Sequence, residues 1–175
     1  MDNVMDILRL AREKETVRQA AYEQAAAIAT NPLIKATFSS LAGEEAKHAR
    51  YVQVYYDKQV ANEGWPAPEE LGIDEDFAKV IEQIFHEANE AIKATAAEAK
   101  AELHEAYEAG IAAEQESVAF YADALSKATD PNAIRFFTVL VKAEKLHYKL
   151  LSESQKFVDD PSFWFFEQEH WIVEG

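Results

Sequence analysis

Apolar residues recur at three- and four-residue spacing through Val4, Ile7, Leu8 and Ala11 and again through Tyr22, Ala25 and Ala26, which predicts an amphipathic helix from about Val4 to Thr30. Asn31-Pro32 ends that helix and begins the next, because Asn is a favoured N-cap and Pro a favoured first helical residue. The second helix carries Ile34, Phe38, Leu41, Val52 and Tyr55, so residues from about 4 to 60 form an antiparallel hairpin. The plan then returns. Leu103, Tyr107, Ile111, Val118, Tyr121 and Leu125 mark a third long helix, Asp130-Pro131 a break, and Ile134, Phe137, Leu140 and Leu151 a fourth helix. This second hairpin covers about 98–158.

Between the hairpins, in a crossover over 61–97, Gly64, Pro66, Pro68 and Gly72 read as a loop, and Asp74 can cap a helix over about 75–93. A helix of that length spans roughly 30 Å, enough to carry the chain from one end of a bundle to the other. The tail, 159–175, holds Phe163, Trp164, Phe165, Phe166 and Trp171, too aromatic for a free extension in water. It should dock on its own bundle or at a subunit interface.

Composition narrows the class. Only five Gly and five Pro in 175 residues, with long tracts of Ala, Glu, Lys and Leu, point to an all-α fold in a single domain. A formal net charge of −15 repels phosphates and anionic bilayers, so neither nucleic acid nor membrane is an expected partner. No apolar run approaches membrane-spanning length and the N-terminus lacks a basic segment followed by an apolar one, so a cytoplasmic location is expected. The absence of cysteine excludes disulfides, thiol nucleophiles and iron–sulfur sites within this chain. Redox chemistry would therefore need an external electron donor.

Polar residues repeat along with the apolar ones. Glu15, Tyr22, Glu45 and His48 each lie 99 residues before Glu114, Tyr121, Glu144 and His147, and Asn31-Pro32 lies 99 before Asp130-Pro131. Glu45 and His48, like Glu144 and His147, share one helix face and can reach the same ion. Both pairs fall on apolar stripes, Leu41-Glu45-His48-Val52 and Leu140-Glu144-His147-Leu151. Glu15 and Glu45 sit at nearly equal distances from their shared turn, as do Glu114 and Glu144. Four carboxylates on buried faces are unfavourable unless cations pair with them, and two divalent ions would balance all four. One Glu from each of two helices with Glu-x-x-His from each of the other two is the ligand pattern of di-iron and di-manganese carboxylate bundles, and a long crossover is characteristic of ferritin-like folds.

The repeat also chooses registers. Glu44, Glu116 and Glu13 have Ala143, Val17 and Ala112 as counterparts, leaving Glu15, Glu45, His48, Glu114, Glu144 and His147 as the candidate ligands. Tyr22 and Tyr121, two turns beyond Glu15 and Glu114, are expected to hydrogen-bond ligand carboxylates and fix their orientation. The alternative is a buried Tyr bonded elsewhere. His86, His104 and His170 have no matched partner and read as incidental.

The segments Leu41-Ala-Gly-Glu-Glu45-Ala-Lys-His48, Glu114-Gln-Glu-Ser-Val-Ala-Phe-Tyr121 and Phe137-Thr-Val-Leu-Val-Lys-Ala-Glu144-Lys-Leu-His147 resemble the rubrerythrin-like branch of the ferritin-like superfamily. That resemblance implies a ferritin-like four-helix bundle holding two iron ions, with manganese or a mixed pair as alternatives, bridged by Glu45 and Glu144. It further implies reduction of hydrogen peroxide or dioxygen with electrons from a rubredoxin-like protein or flavoprotein, in a homodimer that could be domain-swapped. A ferroxidase that sequesters iron is the alternative function. Two departures from the family pattern stand out: no rubredoxin-like domain follows from the lack of cysteine, and Ser117 occupies the place of an additional glutamate, with Arg18 as its symmetric equivalent. Arg18, one turn from Glu15, could pair with an acid or attract an anion.

Overall fold

A computed structural model describes the backbone of residues 4–71 and 104–160. The predicted crossover helix over 75–93 and the aromatic tail from Pro161 onward lie outside the described residues. Among the described residues four long helices form: α1 (Val4–Ile28), α2 (Pro32–Val60), α3 (His104–Lys127) and α4 (Pro131–Asp159), with a 3-10 turn at Pro68–Leu71.

Both hairpin turns are built as their dipeptides predict. Asn31 Oδ1 accepts from the amides of Leu33 at 2.8 Å and Ile34 at 3.2 Å, and Asp130 Oδ1 accepts from Asn132 at 2.8 Å and Ala133 at 3.1 Å. Each cap satisfies two of the otherwise unbonded amides that open α2 and α4. The far end of α2 closes differently. Asn62 takes a left-handed φ of 60°, and the amides of Asn62 and Glu63 bond back to the carbonyls of Gln59 and Lys58, which stops the helix and turns the chain.

The buried positions of each helix alternate by three and four. Leu8, Ala11, Glu15, Arg18, Tyr22 and Ala25 form the seam of α1, and Ile34, Phe38, Leu41, Glu45, His48, Val52 and Tyr55 that of α2. Tyr107, Gly110, Glu114, Ser117, Tyr121 and Ala124 follow on α3, then Ala133, Phe137, Leu140, Glu144, His147, Leu151 and Ser154 on α4. This is the two-per-seven spacing of helices that pack side by side with little crossing. Ile134, an expected stripe residue, is 39% exposed, and Ala133 and Phe136 take the core positions beside it.

Contacts across the hairpins fix the topology. Tyr22 bonds Glu114 and Tyr121 bonds Glu15, so α1 and α3 are antiparallel; Thr37 meets Ser154 and Glu45 meets His147, so α2 and α4 are antiparallel too. It follows that α2 and α3 run parallel. The crossover therefore leaves α2 at the end of the bundle opposite the start of α3, about 43 Å away for the 29 residues of α2. Its first residues turn across the bundle end, where Trp65 packs on Phe136 and Phe137 and its carbonyl accepts from Asn132 Nδ2 at 2.9 Å. Two apolar clusters result, one on each side of a polar middle layer. One holds Tyr22, Leu33, Ile34, Phe38, Leu41 and Leu151; the other holds Leu8, Val52, Tyr55, Tyr121, Phe136 and Phe137. Among the described residues, no helix is long and apolar enough to cross a membrane.

Candidate metal centre

The middle layer comes from the centre of all four seams: Glu15 and Arg18 of α1, Glu45 and His48 of α2, Glu114 and Ser117 of α3, Glu144 and His147 of α4. The four carboxylates and His147 have no exposed surface, and His48 is 5% exposed. The structure thus brings together all six candidate ligands from the sequence. One potential ligand atom from each of Glu45, His48, Glu144 and His147 lies within 4.8 Å of the other three. Glu15 Oε2 is 3.6 Å from His48 Nδ1, and Glu114 Oε2 is 3.8 Å from His147 Nδ1.

The pseudo-two-fold axis is visible in the distances. His48 Nδ1 lies 3.1 Å from Glu144 Oε1, and its counterpart His147 Nδ1 lies 3.0 Å from Glu45 Oε1. The two imidazole rings stack at 5.1 Å and 18°. Glu45 and Glu144 each therefore face the histidine of the opposite hairpin, between the two halves. Glu15 and Glu114 take the outer positions, where tyrosines hold them. Tyr121 donates to Glu15 and Tyr22 to Glu114, so each phenol serves the carboxylate of the other hairpin, a crossing that spacing within one helix could not reveal. Burial and then the neighbouring carboxylates keep both phenols protonated, which preserves them as donors.

Ser117 and Arg18 complete the layer. Arg18 Nη2 donates to Glu15 Oε2 at 2.6 Å and Glu45 Oε2 at 3.0 Å and lies 3.5 Å from Glu144 Oε2, while Nη1 donates to Ser117 Oγ. Burial works against the guanidinium charge, but Glu45, Glu144, Glu15 and Glu114 outweigh it. Of the two expectations for Arg18, an acid or an anion, the structure shows acids, and they are the candidate ligands themselves rather than carboxylates beyond them. A signal was present in the sequence, since positions 18 and 117 continue the three-four seams of α1 and α3.

Four carboxylates packed this closely cannot all ionise alone. Burial pushes the Glu45 carboxyl up, with the Glu144 and Glu15 charges adding to it, and burial and Glu144 do the same to Glu114. Burial also opposes ionisation of Glu15, yet bonding with Glu45 and His48 and the charge on Arg18 hold it well below the usual carboxylate range. Glu144 is likewise low, because His48 and Arg18 overcome burial and the repulsion of Glu15. Burial disfavours His48 charge, but Glu144 and Glu15 raise it to about 10, whereas burial drives His147 down to about 3.

This set of donors fits divalent cations. Glu114 Oε2 and both oxygens of Glu144 are buried and accept no hydrogen bond from the described residues. Oxygen and imidazole donors in a closed layer suit iron or manganese, and cations entering it would replace protons on the raised carboxyls and on His48.

A surface groove of about 410 Å³ lies between α1 and α2, lined by Gln19, Glu23, Ala26, Lys35, Ala42 and Gly43 among others. It is lined by none of the candidate ligands. His104, incidental by sequence, lies at the surface 3.1 Å from Glu108; His86 and His170 are outside the described residues.

No curated protein and no solved structure matches the chain. A family model described as Rubrerythrin matches residues 6–154, which span all four seams and the whole middle layer. The chain belongs to the rubrerythrin family, within the ferritin-like di-iron carboxylate superfamily.

Proposed function

We propose that this protein is a non-haem di-iron oxidoreductase that reduces hydrogen peroxide, using electrons from an external donor. The observation that carries the reading is the buried layer of four carboxylates and two histidines, arranged in equivalent halves within a chain of the rubrerythrin family. Glu15, Glu45 and His48 would hold one iron, and Glu114, Glu144 and His147 the other, with Glu45 and Glu144 shared between them. The pair would supply two electrons and the Lewis acidity needed to break an O–O bond.

The chain's own residues set the conditions. Tyr121 and Tyr22 orient Glu15 and Glu114 through their phenol hydrogen bonds and fix which carboxylate oxygen faces inward. The flanking apolar clusters, with Leu41, Val52, Leu140 and Leu151 next to the Glu-x-x-His pairs, exclude bulk water from the layer.

Stopped-flow mixing of the reduced, iron-loaded protein with peroxide and separately with dioxygen tests the assignment. Faster oxidation by peroxide is expected. Oxidation by dioxygen at an equal or greater rate would remove the peroxidase reading. A large shell retaining many irons per chain, seen by light scattering and iron counting, would instead mark an iron store.

A further inference from the structure

Arg18 is a cation that two divalent ions do not need. Two such ions balance the four carboxylates, so the guanidinium leaves one positive charge over in a layer closed to solvent. Arginine does not lose its proton in proteins. Arg18 is only 6% exposed, and its backbone stands one turn from Glu15 on the same seam, so the charge cannot leave for water. An unbalanced buried charge is costly, which makes a monoanion the natural completion of the loaded layer.

The geometry of the guanidinium says where that anion would sit. Nη1 is anchored by Ser117, its own counterpart in the repeat, so the pair lies on the pseudo-two-fold axis between the halves. Nε is buried and has no hydrogen-bond partner among the described residues. Nη2 bonds Glu15 and Glu45 and lies 3.5 Å from Glu144, all candidate ligands whose oxygens metal ions would take. Nε–H and the adjacent Nη2–H form one edge of the guanidinium fork, and two parallel donors of that kind match an anion with two neighbouring acceptor atoms.

The geometry points to a receptor for one small monoanion with two acceptor atoms, held by the Nε and Nη2 edge of Arg18, with Ser117 as its anchor, between the two metal positions. The inference rests on the dinuclear reading proposed above. Formate and azide belong to this class, and so does the hydroperoxide anion, the conjugate base of the proposed substrate. Chloride, with a single acceptor centre, does not.

Cobalt(II) provides the test, because its visible absorption reports ligands without turnover. Metal-free protein is loaded with cobalt(II), the metal is counted, and formate, azide and chloride are titrated against the cobalt bands. Wild type should hold two cobalt ions per chain and bind formate or azide in preference to chloride. Arg18→Gln should still hold two ions while its affinity for formate and azide falls between about tenfold and a hundredfold, the range for hydrogen bonds to a charged partner. Arg18→Lys keeps the charge without the fork and should erase the preference over chloride while retaining part of the affinity. Ser117→Ala, which removes only the anchor, should weaken binding a few-fold.

Equal anion affinity in wild type and Arg18→Gln overturns the proposal, and so does chloride binding as well as formate in wild type. If Arg18→Gln fails to fold, Arg18→Lys decides, since an unchanged preference there overturns the receptor. Wild type holding fewer than two cobalt ions overturns the dinuclear reading itself, an outcome separate from an anion failure at full loading.

Discussion

Gly110 and Leu151 should be replaceable together at less cost than the two single changes add up to. A Cβ added to Gly110 would lie 3.1 Å from Leu151 Cδ1, 3.3 Å from Tyr22 Cε1 and 3.5 Å from the Tyr22 hydroxyl. The Tyr22 ring cannot withdraw freely, because its hydroxyl donates to Glu114. Alanine in place of glycine improves helix propensity by about 1 kcal/mol, while overpacking a core of this density costs about 1–3 kcal/mol. Gly110→Ala should therefore be neutral to about 2 kcal/mol destabilising. Leu151→Val alone removes one methylene and should cost about 1 kcal/mol.

The other half of the repeat shows the compensated arrangement. There Ala11 and Val52 stand in place of Gly110 and Leu151, in one apolar cluster with Tyr121, and the total number of side-chain carbons is unchanged. The double variant copies that half, so its stability should return to within about 0.5 kcal/mol of wild type, with a favourable coupling of about 1–3 kcal/mol. Denaturant unfolding of the four proteins at matched metal content measures this, with equal m-values as the check on two-state behaviour. Effects that add within about 0.3 kcal/mol, or a double variant that is the least stable, would refute the packing argument.

The tyrosines provide two more predictions. Tyr121→Phe and Tyr22→Phe each remove one donor to an outer carboxylate, and by the pseudo-symmetry each should weaken metal binding similarly, by about tenfold or more, as read by calorimetric titration. One variant without effect would break that equivalence. Burial pushes the Tyr107 phenol up to about 12 from 10.0, with the Ser154 and Thr37 hydroxyls opposing the rise. Because the folded state favours the neutral phenol, its contribution is full below about pH 10 and is lost as pH rises toward 12, at about 1.4 kcal/mol per unit. The stability difference between wild type and Tyr107→Phe should thus narrow or reverse over that window, and a pH-independent difference in unfolding free energy would contradict it.

Much of the fold was legible because the chain states its plan twice. The 99-residue offset ties each ligand type, each capped turn and many seam residues to a counterpart, which is why the register of Glu15 over Glu13 and of Glu45 over Glu44 could be chosen from sequence. Where the halves differ, the repeat was less useful. Thr37, Ser154 and Tyr107 form a buried hydroxyl cluster, with contacts of 3.0 Å and 2.6 Å, yet their counterparts are Phe136, Tyr55 and Leu8, so symmetry alone pointed to an apolar site. Ile134 was misplaced for a related reason: in the first turns of α4 Ala133, Ile134, Phe136 and Phe137 are all apolar, so the pattern there does not define which face is buried. The role of Arg18 was half visible, as a charge near Glu15, but its reach to Glu45 and Ser117 depends on how the hairpins dock. Helix periodicity carries no information about that docking.

The dinuclear proposal requires the middle layer to hold two metal ions between its halves. Anaerobic titration of metal-free protein with ferrous iron, followed by counting of bound metal, tests it most directly when wild type is compared with the Glu45→Ala, Glu144→Ala double variant. Two ions per chain are expected in wild type and fewer than one in the variant, which lacks the Glu45 and Glu144 carboxylates. Wild type that binds no ion, or a variant that binds the same two, would contradict it.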